Sequence, residues 1–132
     1  MDSRIPGVAR PEHLRYGVAD TWENAMSQLP DYQPENHQRA DIDALPGITV
    51  LEFGASWCGH CLAASPLISE VLAGEAAVRH IRVADGPGRP LGRSYRVKLW
   101  PTLIFLRDGR EVARVVRPTA TGPLSEALAQ VQ

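Results

Sequence analysis

The stretch from Ile48 to Val83 constrains the fold more than any other part of the sequence. The run from Ile48 to Phe53 is apolar on both faces except for Glu52, a pattern typical of a central strand covered on both sides. A helical pattern follows from Cys58 to Ala73, and Val78 to Val83 predicts a second strand. Because two strands joined through a helix are expected to lie parallel with a right-handed crossover, this unit predicts a sheet with a helix packed on it.

The other elements follow from the same periodicity and from turn residues. Residues 102–106 and 111–116 predict two strands, and Asp108-Gly109 between them is typical of a tight hairpin. Three more helices are expected, over residues 36–45, up to Tyr95 and over residues 123–131. This order predicts an α/β fold with a central mixed β-sheet and helices on both faces.

Apolar spacing also predicts which side chains of two helices face the core. In the helix over residues 36–45, three would point inward: Ala40, Ala44 and Leu45. The long helix carries a broad apolar stripe formed by Leu62, Leu67, Ile68, Val71 and Leu72. Pro66 falls inside this helix, where a kink is expected.

Length and composition favour one compact domain with a short extension. The chain has 132 residues, of which 44% are hydrophobic, and this suits a single core. We predict a domain over residues 34–132 and an N-terminal extension over residues 1–33, partly ordered or forming one helix. Asp20 would cap that helix over residues 20–29, with Glu23 in position for a capping box.

Charge and hydropathy narrow the expected partners and location. With 14 basic and 15 acidic residues the net charge is -1, so neither nucleic acid nor an anionic membrane surface is an expected partner. No segment approaches the roughly 18–20 continuous apolar residues of a membrane span, and Met1 to Gly7 lacks the apolar stretch of a secretory signal. The sequence therefore predicts a cytoplasmic protein, and nothing in it demands more than a monomer.

The chain contains two cysteines, Cys58 and Cys61, three positions apart. Closing so short a loop removes little chain entropy, so a redox-active or metal-binding pair is favoured over a stabilising disulfide. A zinc site would need further ligands from histidines that show no suitable spacing: His13, His37, His60 and His80. His80, on a predicted strand, is expected to be structural. The motif for c-type haem is excluded, because Leu62 stands where it needs histidine.

The position of the pair predicts different roles for the two sulfurs. Cys58 lies where the helix begins, and the unpaired N–H groups and the dipole there favour a thiolate, so Cys58 is the expected nucleophile. Cys61, one turn later and more buried, is the expected resolving thiol that displaces the product from a mixed disulfide. Gly59 would let a substrate backbone approach closely. His60 would stabilise the Cys58 thiolate and so make the disulfide a stronger oxidant.

Three segments together resemble the thioredoxin superfamily. The stretch from Leu51 to Cys61 is similar to that family's active-site segment, Trp100-Pro101-Thr102 to its cis-proline loop, and Pro66 to the proline that kinks its active-site helix. The resemblance extends over residues 36–131, in the family's order. It implies the thioredoxin fold and exchange with protein disulfides through a redox-active disulfide, without another cofactor.

Three positions depart from the bacterial thioredoxin pattern. His60 stands where those proteins usually have proline, and Glu52 stands where they have a buried aspartate. At both positions the catalytic domains of protein disulfide isomerase have the same residue as this chain, so the local sequence resembles those domains. Arg117-Pro118 stands where thioredoxins usually place glycine near the substrate groove.

Residues around the cysteine pair complete the predicted site. Burial would raise the pKa of Glu52 and suit it to relay a proton for Cys61. The alternative is a partly exposed carboxylate at a strand end, paired with an arginine. The resemblance implies a cis bond at Pro101, which would leave the backbone groups of Trp100 free to pair with an extended substrate. Trp57 and Trp100 would flank the groove, with ordinary packing as the alternative for Trp100.

These residues leave several functions open. The first is a reductase of protein disulfides, kept reduced by a flavin-dependent reductase or by glutathione. A disulfide oxidant or isomerase is a close variant, suggested by His60. The second class is a non-catalytic thioredoxin-fold module that binds a partner or senses redox state. A carrier serving one enzyme is a further alternative, motivated by Arg117-Pro118 and by residues 1–33.

Overall fold

The computed structural model describes residues 29–34 and 36–132. Its helices and strands, in chain order, are α1 (Arg39–Asp43), β1 (Ile48–Gly54), α2 (Gly59–Leu72), β2 (Val78–Ala84), α3 (Pro90–Ser94), β3 (Thr102–Arg107), β4 (Arg110–Val116) and α4 (Thr121–Val131). The predicted helix over residues 20–29 lies outside the described residues except for Leu29. The division of the chain after residue 33 stays a prediction. None of the helices in the described ranges is long and apolar enough to cross a membrane.

Strand β1 lies inside a four-stranded sheet with the order β2-β1-β3-β4. It pairs parallel with β2 and antiparallel with β3, which in turn pairs antiparallel with β4. Every residue of β1 is buried, because helices pack on both faces of the sheet and cover this strand. The predicted central strand, the parallel crossover and the mixed sheet of the α/β thioredoxin fold are confirmed.

Alternation along β1 sends its side chains to two separate cores. Val50 packs in one core with Ile68 of α2 and with residues of α4. Leu51 packs in the other core with Ile42 of α1 and with residues of α3. Glu52 is two positions from Val50, so it lies on the sheet face that α2 covers. The strand thereby brings a carboxylate under the helix that carries the cysteines.

Two predicted inward faces are wrong in detail. Helix α1 is shorter than expected, and its buried residue is Ile42. Ala40 and Ala44 are exposed, because a single helical turn presents little more than one side chain to the sheet. Leu45 is half-buried and packs against the same core as Ile42, as predicted. Leu62, which was assigned to the apolar stripe of α2, is 53% exposed and faces away from the core.

The hairpin between β3 and β4 forms as predicted. Asp108 and Gly109 have φ angles of 50° and 81°, and two positive φ angles are what a type I′ turn requires. The Asp108 carboxylate accepts a hydrogen bond from the Gly47 N–H at 2.8 Å, and the Asp108 N–H donates to the Gly47 carbonyl at 2.8 Å. The turn is therefore fastened to the start of β1.

Candidate active site

The two cysteines meet at the start of α2. Cys58 is the N-cap residue, and its Sγ accepts a hydrogen bond from the Cys61 N–H at 3.3 Å. Both thiols are free, and Cys58 is 7% exposed whereas Cys61 is 1% exposed. The sequence predicted this order of burial. A sulfur at the N-cap lies near unpaired N–H groups and the positive end of the helix dipole, which favour its anionic form.

An exposed surface surrounds the more accessible sulfur. Trp57 is 75% exposed, and its ring lies edge-on to that of Trp100 with 5.5 Å between centroids. The half-buried Trp100 also packs against the cysteines. Gly59 and His60 are exposed, and a Cβ at Gly59 would meet no atom within 4 Å. The structure therefore brings these predicted site residues together on one open face beside Cys58.

The loop before β3 contains the expected cis bond between Trp100 and Pro101. The Trp100 indole N–H donates to Asp85 Oδ2 at 2.9 Å. Arg117 Nε donates to the Trp100 carbonyl at 2.8 Å, and the Arg117 N–H donates to the Pro101 carbonyl at 2.9 Å. The expectation that both backbone groups of Trp100 are free is therefore wrong for the carbonyl. Arg117 has a φ of 49°, a conformation that favours glycine.

Glu52 is fully buried and accepts hydrogen bonds at both carboxylate oxygens. Arg82 donates from Nε to Oε1 at 3.0 Å and from Nη2 to Oε2 at 2.9 Å. His80 Nε2 lies 2.8 Å from Oε1, and the Tyr32 hydroxyl donates to Oε2. Glu52 and Arg82 are register partners of β1 and β2. The four side chains form one polar cluster around the buried carboxylate, beside α2, where Arg82 Nη2 donates to Ser65 Oγ at 3.4 Å.

The pKa of Glu52 is lowered, not raised, relative to its usual value of 4.5. Burial alone would raise this pKa, but the hydrogen bonds from His80 and Arg82 and the positive charge of Arg82 outweigh it. The prediction of a raised pKa is wrong because it rested on burial alone, without the hydrogen bonds that His80 and Arg82 supply. The alternative prediction for Glu52 was a partly exposed carboxylate paired with an arginine. The pairing with an arginine is confirmed, but Glu52 is fully buried.

This lowered pKa predicts a pH dependence of stability. A carboxyl group whose pKa is lower in the folded than in the unfolded chain stabilises the fold above its unfolded pKa, and this contribution is lost as pH falls through the folded pKa. We expect Glu52→Gln to be less stable than the wild type near neutral pH, with a difference that shrinks as pH falls below about 4.3. Denaturant unfolding at several pH values measures both proteins. A difference that does not change between pH 7 and pH 3 would contradict the prediction.

Tyr32 is a residue of this site that the sequence did not indicate. Its hydroxyl and the Cys61 Sγ both lie over the backbone of Gly54, where an added Cβ would be 2.7 Å from the hydroxyl and 2.8 Å from the sulfur. Tyr32 also packs against the cysteines. Tyr32 precedes every helix and strand predicted for the domain over residues 34–132. A single tyrosine also shows no spacing pattern from which its place beside the cysteines could be predicted. Arg82 left a detectable signal, a charged residue between apolar neighbours in a strand expected to lie beside Glu52.

The resolving thiol is poorly ionised. Burial, followed by its hydrogen bond with Cys58, raises the pKa of Cys61 to about 11. Hydrogen bonds from the backbone of Ala55 and from the Tyr32 side chain act in the opposite direction. Near neutral pH a Cys61 thiolate therefore forms readily only with additional stabilisation.

A pair of cysteines at this spacing is also typical of metal sites. Within residues 29–34 and 36–132, no group of three or more His, Cys, Asp or Glu side chains is arranged to hold a metal ion. The Cys58 sulfur instead accepts a hydrogen bond from the Cys61 N–H, and the two cysteines pack against Ala55, Tyr32 and Trp100.

Fold and site together define a class of protein. A dithiol at the start of a helix, beside a cis-proline loop and on a mixed sheet, characterises the thiol–disulfide oxidoreductases of the thioredoxin fold.

Comparison with known proteins specifies the family. The family model described as thioredoxin matches residues 31–130. Thioredoxin of Staphylococcus aureus is 33% identical over 94 residues, covering 67% of this chain and 88% of that protein. The structure of thioredoxin 2 from Pseudomonas aeruginosa PAO1 in its reduced form is 55% identical, with a TM-score of 0.70, and covers 77% of this chain and 94% of that one. The chain belongs to the thioredoxin family.

Other relatives are longer than the region they share with this chain. Protein disulfide-isomerase A2 from Pongo abelii is 45% identical over 64 residues, which are 46% of this chain and 12% of that protein. Thioredoxin H-type 1 from Nicotiana tabacum is 32% identical over 69 residues, 52% of this chain and 55% of that protein. The chain thus spans less than two thirds of both relatives.

Proposed function

We propose that this protein reduces disulfides in other proteins, with Cys58 as the attacking thiolate and Cys61 as the resolving thiol. The observation that carries this proposal is the position of Cys58 as N-cap of α2, with its sulfur accepting the Cys61 N–H. Backbone donors at a helix start favour an anionic sulfur. Membership of the thioredoxin family supports the same chemistry.

The proposed reaction has two exchange steps. The Cys58 thiolate attacks one sulfur of the substrate disulfide, and the other substrate sulfur leaves as a thiolate. Cys61 then loses its proton and attacks the Cys58 sulfur, which forms the Cys58–Cys61 disulfide and releases the second substrate thiolate. The substrate gains two electrons and takes up two protons. A flavin-dependent reductase or glutathione would return both electrons to the Cys58–Cys61 disulfide. Because both steps are exchanges between sulfur atoms, this chain would need no cofactor beyond the cysteine pair.

The substrate would lie on the open face beside Cys58. Trp57 and Trp100 offer apolar contact around its disulfide, next to Pro101, and the space above Gly59 leaves room for its backbone. The Trp100 carbonyl already accepts a bond from Arg117, so it retains one lone pair for a peptide N–H. Peptide pairing at this loop would therefore be weaker than pairing with a free carbonyl.

A second candidate, a disulfide oxidant or isomerase, is favoured by one residue. His60 follows the N-cap Cys58 by two positions and is exposed. A protonated imidazole there would stabilise the thiolate and raise the reduction potential. The 45% identity to a segment of protein disulfide-isomerase A2 supports this alternative.

The remaining expectations belong to the same proposal. We place the protein in the cytoplasm, as a monomer acting on protein disulfides, without nucleic acid or membrane partners. The balanced charge of the chain supports the absence of nucleic-acid and membrane partners. Residues 34–132 would be the catalytic domain, with residues 1–33 as an extension that contributes Tyr32 to it.

The reduction potential distinguishes the two candidates. We expect a value of about -270 mV, like that of thioredoxin, when the protein is equilibrated with redox buffers and its free thiols are counted by alkylation. A value near about -180 mV, like that of protein disulfide isomerase, would favour the oxidant or isomerase instead. His60→Pro is the matched variant, and its potential should be more negative than that of the wild type. A cysteine pair that forms no disulfide at any potential would contradict both candidates and favour a non-catalytic module.

A further inference from the structure

Tyr32 is held firmly against the resolving cysteine. The neighbouring Gln33 pairs with β2, since its N–H donates to the Arg82 carbonyl at 3.1 Å and its carbonyl accepts from the Ala84 N–H at 2.8 Å. The Arg82 guanidinium lies 4.1 Å from the centre of the Tyr32 ring, a cation–π contact. The hydroxyl donates to Glu52. Backbone pairing, ring contact and hydrogen bond together fix the hydroxyl in place.

Glu52 is badly suited to take the proton of Cys61. Each of its oxygens accepts two hydrogen bonds, and the guanidinium of Arg82 contacts both oxygens. Protonating this carboxylate would leave the buried positive charge of Arg82 without its partner. The group between Glu52 and the sulfur is the Tyr32 hydroxyl, which lies with Cys61 Sγ over Gly54.

We propose that Tyr32 is a catalytic residue that stabilises the thiolate of Cys61 during the second exchange step, an inference that rests on the proposed function. In the thiol state, the Tyr32 hydroxyl donates to Glu52 and its oxygen accepts the Cys61 S–H. When Cys61 ionises, the hydroxyl turns from Glu52 to donate to the sulfur. Tyr32 keeps its own proton throughout, and Arg82 and His80 continue to compensate Glu52.

The proton of Cys61 has a route to solvent on the same side. A cavity of about 170 Å³, large enough for water, is lined by Cys61, Tyr32, Asp31, Ser56, Ser65 and Arg82 among others. The proton leaves to solvent through this opening, Cys61 attacks the Cys58 sulfur, and the departing substrate thiolate takes a proton from solvent. Protons and electrons therefore balance without a buried base.

The acid–base properties of the two groups agree with these roles. Burial, and then the charge of Glu52, raise the pKa of Tyr32, so the phenol remains a donor. The hydrogen bond from Tyr32 acts against the burial that raises the pKa of Cys61. The other titratable groups around the sulfur and its cluster are Cys58 on α2, Asp31 before α1, Glu52 on β1, and His80 and Arg82 on β2.

Tyr32→Phe tests the proposal, because it removes the hydroxyl and keeps the ring beside Arg82. The probe is 5,5′-dithiobis(2-nitrobenzoate), whose first coloured thiolate reports attack by Cys58 and whose second reports resolution by Cys61. Relative to the wild type, we expect an unchanged first step. The second step should be about tenfold slower near neutral pH, and its pH midpoint should rise by about one unit, as for loss of one hydrogen bond to a charged group.

Tyr95→Phe is the matched control. Tyr95 is the other tyrosine among the described residues, is buried in the core on the opposite sheet face, and its hydroxyl has no hydrogen-bond partner there. Its removal should change neither step. A Tyr32→Phe protein whose second step keeps the wild-type pH profile would overturn the proposal. Equal slowing of both steps would also overturn it, because Tyr32 would then only support the fold. If the wild type itself released no second thiolate, the proposed function would fail instead.

Discussion

Replacing Cys58 by serine is expected to abolish disulfide reduction. The hydroxyl of serine is far less acidic than a thiol, so the N-cap position cannot supply an anion that attacks sulfur. We expect turnover to fall at least about a thousandfold in an insulin-reduction assay supplied with a chemical dithiol. The fold should be retained, because the serine oxygen can accept the same N–H of Cys61 at the N-cap.

Cys61→Ser is the matched variant for this prediction. It keeps the attacking sulfur and removes the resolving one, so a substrate should remain attached to Cys58 as a mixed disulfide. Mass spectrometry of the variant after incubation with a disulfide protein detects this species. Reduction of insulin by Cys58→Ser at the wild-type rate would contradict the assignment of Cys58. If Cys58→Ser instead formed a mixed disulfide through Cys61, Cys61 would be the attacking thiol and the assigned roles of the two sulfurs would be reversed.

Glu52→Leu is expected to destabilise the fold by about 3–5 kcal/mol, because it leaves the charge of Arg82 buried without a partner. Arg82 is 7% exposed and its guanidinium contacts both oxygens of Glu52. Arg82→Met should cost a similar amount, since it removes the guanidinium that contacts both oxygens of the buried carboxylate. Guanidinium unfolding monitored by circular dichroism measures the free energy of unfolding of each variant.

Two further proteins make this second prediction specific. The double variant Glu52→Leu, Arg82→Met should recover most of the loss, because replacing both members of a buried ion pair by apolar residues is often neutral. Glu111→Ala is the control, since Glu111 pairs with Arg114 on the surface of β4, and an exposed pair contributes at most about 1 kcal/mol. If Glu52→Leu cost no more than Glu111→Ala, Glu52 would not be essential to the stability of the cluster.

The sheet and the place of the cysteines could be predicted because they depend on local patterns. An apolar run covered on both faces specifies β1, and the Asp108-Gly109 pair specifies the hairpin through its positive φ angles. Cys58 could be placed at a helix start because the strand pattern ends just before it. Each of these signals lies within one element of the chain.

The chemistry of Glu52 could not be predicted in the same way. Its partners come from β2 and from the segment before α1, and they meet it only through strand register and the bridge at Gln33. Whether a buried carboxylate has a raised or lowered pKa depends on whether a cation reaches it. Likewise, Arg117 lies far along the chain from Trp100, so its bond to that carbonyl has no local signature.

The outer position of β4 has a consequence for the solubility of the protein. An edge strand offers unpaired backbone groups on which another chain could add as a further strand, and this is a route to aggregation. In the described sheet, β4 pairs with β3 alone and exposes Val112 and Val116. The same strand carries the charged residues Arg110, Glu111 and Arg114, and adding a further strand would require their desolvation. Their charges therefore disfavour the addition of another chain along β4. None of the predicted site residues lies on this strand, so these charges can protect the edge without affecting the site.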